Sequence, residues 1–244
     1  MTAHTVHPPP VPTAVPVLST RGLTKTYGMT TALAGVDLDL FPGQSVAVMG
    51  ASGSGKTTLL HCLAGIVRPS SGTVVLTTSR GRVEVSALSD SQRSRLRREQ
   101  LGFVFQEGLL IPELTAVENV AMALMLRGVA RREAEHHAAL WLQHLGLAGM
   151  EQRRIGQLSG GQAQRVAIAR AQVTGAEVVF ADEPTGALDH GTSRDVMQAL
   201  LHATTAGGRT LVVVTHDDDV AAQCARVVRL RDGRVVDDTL GRRS

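Results

Sequence analysis

The stretch from Gly50 to Thr57 fits the pattern G-x-x-x-x-G-K-[ST], which is typical of a loop that binds phosphate groups. Its glycines let the backbone curl so that several N–H groups point at one anion, at the N-terminus of a helix. In such a loop Lys56 places an ammonium group on the β- and γ-phosphates of a nucleotide, and Thr57 offers a hydroxyl group to Mg²⁺. These residues therefore predict a site for a nucleoside triphosphate and magnesium.

The residues around this loop favour a phosphate site over the alternative, a flexible glycine turn. An apolar run typical of a strand, Ser45 to Met49, precedes the loop, and Thr58 to Ala64 has the character of a helix start. The chain has 25 basic residues, of which only Lys25 and Lys56 are lysines. Because a forked guanidinium cannot replace a compact ammonium inside a closed loop, the lysine at position 56 indicates a phosphate contact.

Asp182 and Glu183 follow a second apolar run, Glu177 to Ala181. In a protein with a phosphate-binding loop, a carboxylate at the end of an apolar strand holds Mg²⁺, and the adjacent Glu183 is placed to polarise a water molecule. The alternative is a surface pair, which the apolar residues before Asp182 disfavour. His216 ends a third apolar run that begins at Leu211, so it either faces a ligand crevice or belongs to the core; these residues alone leave both open.

Two further features could contact a nucleotide. Leu158 to Gln162, with two adjacent glycines, precedes the predicted helix Ala163 to Val173, which makes a second helix N-terminus suited to an anion. Tyr27, the single tyrosine, lies ahead of the phosphate loop. Its ring could stack on a base or pack in the core, and both interpretations stay open on the residues alone.

The composition indicates a globular protein with one domain of moderate size, or a core with a subdomain, because 43% of the 244 residues are hydrophobic and 19% are charged. The net charge is +3 and the arginines are spread along the chain, so no nucleic-acid surface is predicted. No apolar run reaches the roughly 18 residues that span a membrane. Two cysteines, Cys62 and Cys224, favour a reducing compartment over a disulfide.

Local patterns place the remaining elements. Residues 1–16, rich in proline, predict a disordered or polyproline tail. Ser89 with Gln92, and Thr115 with Glu118, predict capping boxes at two helix starts. Short strands are predicted at Val17–Thr20, Val36–Leu40, Ser45–Met49, Thr73–Leu76, Gly102–Gln106, Glu177–Ala181, Leu211–His216, Val227–Leu230 and Arg234–Val236, with a hairpin over 77–86 and helices over 116–127 and 131–145.

Taken together, these segments resemble the ATP-binding subunit of ABC transporters, over about residues 17–238. Five motifs stand in the order of that family: the Walker A loop Gly50–Thr57, the Q-loop glutamine Gln106, the signature Leu158–Gln162, the Walker B strand Val178–Asp182 followed by Glu183, and the H-loop residue His216. The resemblance implies an α/β fold: a P-loop NTPase with a RecA-like core, an ABC-type antiparallel β subdomain and an α-helical subdomain at about 107–162. A single ATPase domain over 17–244 would then follow the tail of residues 1–16.

The resemblance also implies the site residues and cofactors, ATP and Mg²⁺. Glu183 would be the general base and His216 the contact to the γ-phosphate. Thr57, Gln106 and Asp182 would arrange the Mg²⁺. The nucleotide would be bound by Tyr27, Gly50, Ala51, Ser52, Gly53, Ser54, Gly55, Lys56, Thr57, Thr58 and Gln106, and by Ser159, Gly160, Gly161, Gln162 and Asp189, the signature residues coming from the opposite chain of a head-to-tail homodimer.

A narrower resemblance concerns the partner. Five short segments resemble the group of lipoprotein-releasing, macrolide-exporting and cell-division ABC ATPases. They are Phe105–Gln106, Leu109–Leu110, Pro112–Thr115, Glu118–Val120 and Asp182–Asp189. This implies a cytoplasmic ATPase, peripheral at the inner face of the membrane, that drives a separate integral membrane permease. Glu107-Gly108 departs from the aromatic-containing pair of that group.

Such a chain has three candidate functions. The first is a transport or extrusion ATPase, which is favoured. The second is a mechanical complex that moves no substrate and regulates cell-wall enzymes. The third is a non-membrane ABC protein acting on DNA or ribosomes, which is disfavoured because that class usually needs two ATPase cassettes in one chain or a coiled-coil insertion.

Overall fold

The structure is a computed structural model that describes residues 15–242. Most of the predicted proline-rich tail lies outside the described residues. Within them the chain forms ten strands and seven α-helices. In chain order these are β1 (Leu18–Tyr27), β2 (Thr30–Leu40), β3 (Ser45–Met49), α1 (Lys56–Leu63), β4 (Ser71–Thr78), β5 (Gly81–Glu84), α2 (Asp90–Gln100), β6 (Leu101–Phe105), α3 (Ala116–Met125), α4 (Arg131–His144), α5 (Gly160–Gln172), β7 (Val178–Asp182), α6 (His190–Thr205), β8 (Thr210–Val214), α7 (Asp218–Ala222), β9 (Arg226–Arg231) and β10 (Arg234–Asp238).

A six-stranded sheet in the order β10-β9-β3-β8-β7-β6 forms the centre of the fold. Its strands are parallel except for β10, which pairs antiparallel with β9. The strands β3 and β8 are buried along their whole length, as expected of a parallel sheet covered on both faces. Because side chains alternate along a strand, Phe180 and Val212 enter one hydrophobic cluster, with α1, while Val179 and Val213 enter another, with α3 to α6.

A second, antiparallel sheet in the order β2-β1-β4-β5 packs over α1. Here the predicted short strands Val17–Thr20 and Val36–Leu40 were wrong in length, because they are the two ends of one long hairpin, β1 and β2. The middle of that hairpin carries polar, exposed residues and register shifts, so it lacks the apolar alternation that signals a strand. The predicted hairpin over 77–86 is confirmed as the β4–β5 pair.

The helices α3 and α4 pack against each other and against α5. Both predicted capping boxes are confirmed: the Ser89 side chain accepts a hydrogen bond from the Gln92 N–H, and Thr115 does the same for Glu118. The buried Asn119 fixes the turn before α3, accepting a bond of 2.8 Å from the Ile111 N–H and donating bonds of 3.0 Å to the carbonyls of Ile111 and Thr115.

None of the helices in residues 15–242 has both the length and the apolar character that a membrane crossing requires.

Candidate functional site

The phosphate-binding loop connects β3 to α1 and presses closely against two neighbouring strands. A Cβ atom at Gly55 would lie 2.3 Å from the carbonyl oxygen of Ala32 in β2, and one at Gly50 would lie 2.3 Å from that of Leu230 in β9. Gly50, Gly53 and Gly55 all have positive φ angles, of 155°, 78° and 100°. At Gly50 and Gly55 only glycine combines this backbone with this approach, so the sequence and the geometry require the same residue type at both positions.

Lys56 folds back over the loop. Its side chain is nearly buried, and its ammonium group donates hydrogen bonds of 2.8 Å to the carbonyl of Gly50 and 3.0 Å to that of Ala51. The hydroxyl oxygen of Ser54 is buried with no hydrogen-bond partner among the described residues. The glycine cradle and the ammonium group together fit a phosphate ligand.

The loop forms one wall of a cavity of about 640 Å³. The cavity brings the loop together with two of the side chains predicted at strand ends, Glu183 and His216. It is lined by Ala32, Ala51, Ser52, Gly53, Gly55, Lys56, Thr57, Thr58, Glu183 and His216.

Thr57 and Asp182 form a pair of oxygen ligands next to the loop. The Thr57 hydroxyl donates a hydrogen bond of 3.3 Å to Oδ1 of Asp182. Burial raises the pKa of Asp182 above its usual value, and the nearby Glu183 adds to this effect, while His61, the Thr57 hydrogen bond and Lys56 oppose it. A hydroxyl and a carboxylate oxygen are ligands that Mg²⁺ prefers, so these residues fit that ion.

Glu183 is held in an uncommon backbone conformation at the cavity. Its φ angle is 46°, in the left-handed region that non-glycine residues rarely adopt, and its N–H donates a bond of 2.9 Å to the carbonyl of Val214. The carboxylate lies 2.7 Å from Nδ1 of His216 and accepts a bond of 3.2 Å from the Thr215 hydroxyl. The side chains of Thr215 and His216, which follow β8, therefore orient the Glu183 carboxylate.

The structure resolves the two alternatives for His216. Its side chain is 72% exposed and lines the cavity, so it is not a core residue. The single tyrosine, Tyr27, is also no core residue: it is 49% exposed at the end of β1. It does not line the cavity, although Ala32 on the paired strand β2 does.

Gln106 follows β6 and lies beside the segment after Glu183. A Cβ atom at Gly186 would be 3.1 Å from Nε2 of Gln106. The segment after Gln106 is attached to α5, because Arg170 donates hydrogen bonds of 2.6 Å to the carbonyl of Gly108 and 2.7 Å to that of Leu109. Gln164 of α5 also donates a bond of 2.8 Å to the carbonyl of Phe105.

The predicted second anion site is separate from the cavity within one chain. Ser159 caps α5 in a capping box with Gln162, and a Cβ atom at Gly161 would lie 2.4 Å from the Thr192 side chain at the start of α6. Asp189 caps α6, and its carboxylate accepts a bond of 3.0 Å from the Thr192 N–H. Residues Ser159 to Gln162 pack against α6 and line no part of the cavity formed by the described residues.

Sequence reasoning missed Ala32 and Thr215. Ala32 contributes a backbone carbonyl and a small part of the cavity wall. Neither contribution depends on a residue type that a sequence would reveal. Thr215 was detectable as a polar residue at the end of an apolar strand, and it bonds to Glu183.

The profile of the ABC transporter family matches residues 33–186. This chain belongs to the ABC transporter family. The prediction of the family is thereby confirmed. Together with the solved cassette structures described below, this match also confirms the predicted fold class and the prediction of an ATPase.

Among its relatives are proteins named for export. It is 44% identical over 230 residues to the macrolide export ATP-binding/permease protein MacB of Nitrosomonas europaea, covering 92% of this chain and 34% of that protein. It is 42% identical over 229 residues to the pyoverdine export ATP-binding/permease protein PvdT of Pseudomonas fluorescens, again covering 92% and 34%. The chain thus spans about a third of the length of the curated relatives it matches.

Solved structures of ABC cassettes have the same fold. The dimeric structure of the cassette MJ0796 is 38% identical, with a TM-score of 0.81, and the match covers 91% of this chain and 97% of that one. A second structure of that cassette, described as a post-hydrolysis dimer bound to ADP and Pi, gives a TM-score of 0.80 at the same identity and coverage.

The close approach at Gly55 generates a stability prediction. We expect Gly55→Ala to lower the free energy of unfolding by about 2–4 kcal/mol, since it adds a backbone clash to the cost of positive φ. Gly53→Ala is the matched control: its φ is 78°, but a Cβ atom there meets nothing within 4 Å, so about 1 kcal/mol is expected. Urea unfolding of the nucleotide-free proteins measures both, and equal losses would contradict the argument.

Proposed function

We propose that this cassette binds ATP with Mg²⁺ at the Gly50–Thr58 loop and hydrolyses it, with Glu183 as the general base. The observation that carries the proposal is the single cavity in which the loop, Lys56, Glu183 and His216 meet. The Glu183 carboxylate would accept a proton from the attacking water. His216, which contacts that carboxylate, would contact the γ-phosphate. Bound Mg²⁺ supplies charge neutralisation at the phosphates, and Thr57, Gln106 and Asp182 would hold it.

Glu183→Gln tests the proposed base. The amide keeps the size of the side chain but cannot accept the proton, so we expect turnover to fall by about 10²- to 10⁴-fold. ATP affinity should stay close to that of the unmodified protein. Steady-state phosphate release and a nucleotide-binding titration measure the two effects.

Glu177→Gln provides the control for that substitution. Glu177 lies just before β7, outside the cavity, where it accepts bonds from Ser79. Its turnover should match that of the unmodified protein. Near-normal hydrolysis by Glu183→Gln would remove Glu183 from the role of base.

We further propose that the working unit is a head-to-tail homodimer with ATP between the chains. Each chain carries the loop and the signature, Ser159 to Gln162, but holds them apart, so a second copy is needed to bring a signature to each cavity. The N-terminus of α5 would then face the γ-phosphate of the opposite chain, and Asp189 would lie near the contact between the two sites. The solved cassette structures that this chain resembles are dimeric, which supports a dimer.

A mixing experiment tests this composite site. Ser159→Asp retains a residue that caps helices well but places a carboxylate where a phosphate should bind, so turnover should be lost while the fold persists. Lys56→Ala should be inactive through loss of the phosphate contact. In the mixed dimer one site combines an intact loop with an intact signature, so mixing the two inactive proteins should restore ATPase activity. Absence of any recovery in a confirmed mixed dimer would contradict a site shared between chains.

For the partner, we propose an integral membrane permease contacted through the region after Gln106, with the cassette on the cytoplasmic face of the membrane. Leu109, in the segment after Gln106, and Leu126, which follows α3, are 58% and 60% exposed and would offer apolar contacts to such a partner. The export relatives, which are named as ATP-binding/permease proteins, support an extrusion function over a purely mechanical one. The substrate would be chosen by the membrane partner rather than by this chain.

Capture from membranes tests this partner. Tagged Glu183→Gln protein with ATP should co-purify with a polytopic membrane protein identified by mass spectrometry. Lys56→Ala protein under the same conditions is the control, and it should recover less of that partner if ATP binding drives the contact. Recovery of ribosomes or DNA-repair proteins without any membrane protein would overturn the proposal.

A further inference from the structure

Lys25 is the one lysine of this chain that the phosphate loop does not explain. All the remaining basic residues apart from Lys56 are arginines. Lys25 lies on β1, two residues before Tyr27, so both side chains project from the same face of the strand. The side chain is therefore placed beside the ring that is proposed to stack on the base.

The ammonium group of Lys25 has two contacts. It donates a hydrogen bond of 2.9 Å to the carbonyl oxygen of Arg68, and it lies 4.9 Å from the centroid of the Tyr27 ring. The segment that holds Arg68 is itself attached to β1, because the Ser70 N–H donates to the carbonyl of Thr24 and the Thr26 N–H donates to the Ser70 hydroxyl. The cation thus connects a fixed backbone carbonyl to a half-exposed ring.

The position of this ring relative to the cavity follows from the strand register. Tyr27 pairs with Thr30 across the β1–β2 hairpin. Two residues further along β2, Ala32 lines the cavity, and its carbonyl oxygen meets Gly55 of the phosphate loop. The ring is therefore on the same hairpin that forms one wall of the nucleotide cavity, near Ala32 but outside the cavity lining.

We propose that Lys25 is a positioning residue for the adenine base: its ammonium group occupies one face of the Tyr27 ring and holds the ring so that the other face is available for stacking. This inference rests on the proposed role of Tyr27. A cation over an aromatic face attracts the ring electrostatically, and a ring held in advance loses less rotamer freedom when the base binds. Lys25 then affects affinity for nucleotides that carry a base and has no part in the chemistry of hydrolysis.

The experiment compares a ligand with the base and a ligand without it. Dissociation constants are measured by titration with fluorescent mant-ADP and by its competition with pyrophosphate, both with Mg²⁺, for Lys25→Met, Tyr27→Leu and the double variant. Lys25→Met should weaken mant-ADP binding by about two- to fivefold, because the free energy of an exposed cation–π contact corresponds to that change in the dissociation constant. The dissociation constant for pyrophosphate should stay unchanged. The kcat for ATP should stay the same while its KM rises.

The double variant separates a contact through the ring from other effects. In the Tyr27→Leu background Lys25→Met should weaken mant-ADP binding no further, because the contact is already absent. If Lys25→Met still weakens mant-ADP binding in that background, or weakens pyrophosphate binding equally, Lys25 acts through long-range charge or through the stability of the fold. Either result would overturn the inference. Arg21→Met is the matched control: Arg21 is a cation of the same strand that pairs with Asp39, and its loss should leave both affinities unchanged.

The same variants distinguish failure of this inference from failure of the proposed function. If Tyr27→Leu leaves the ratio of mant-ADP to pyrophosphate affinity unchanged, the proposed stacking by Tyr27 fails, and the role of Lys25 fails with it. If Tyr27→Leu lowers that ratio but Lys25→Met does not, only the role of Lys25 is overturned.

Discussion

The closeness of Gly55 to the Ala32 carbonyl is the constraint from which the rest of the site follows. It fixes the end of the phosphate loop against β2, a strand of the antiparallel sheet, while Gly50 is fixed against β9 of the central sheet. The turn after β9 completes the arrangement, because the Gly233 N–H donates to the carbonyl of Ser54 and the Ala34 N–H donates to the carbonyl of Gly233. The antiparallel sheet therefore forms a wall of the nucleotide cavity, and both sheets contact the phosphate loop.

The same helix, α5, links the two proposed contact surfaces of the cassette. Its first residues carry the signature, and further along it Gln164 and Arg170 bond to the backbone on either side of Gln106. An α-helix transmits displacement along its length with little deformation, since its hydrogen bonds are internal. A movement of the signature towards a partner chain would thus displace the segment after Gln106, where we propose that the permease docks.

Much of this fold could be predicted from the sequence where burial is complete or a local signal is strong. The strands β3, β7 and β8 are continuous apolar runs because both faces of the sheet are covered, and the capping boxes of α2 and α3 are local interactions. The hairpin of β1 and β2 was predicted only at its ends. Its middle is polar on the exposed face and interrupted by register shifts, so its strand structure depends on pairing with β4 and on packing over α1.

The residues of the candidate site also fall into two groups, those that the sequence could indicate and those that it could not. Lys56, Thr57 and the Asp182-Glu183 pair could be recognised because each occupies a fixed place in a strand, loop or helix. The contribution of Ala32 could not, because it depends on where a backbone carbonyl lies in three dimensions. His216 was ambiguous in the sequence, since a histidine after an apolar strand suits either a core or a crevice, and only its exposure decides between them.

The scarcity of lysine has a practical consequence for chemical labelling. Both side-chain amines of the protein are found at or beside the nucleotide cavity, one within the loop and one behind the Tyr27 ring. Acylating reagents and amine-directed cross-linkers would therefore attach to side chains only there, and a bound nucleotide would protect at least the buried one. Lysine-based cross-linking would give no distances from the rest of the surface, whereas carboxylate-directed reagents would have many targets.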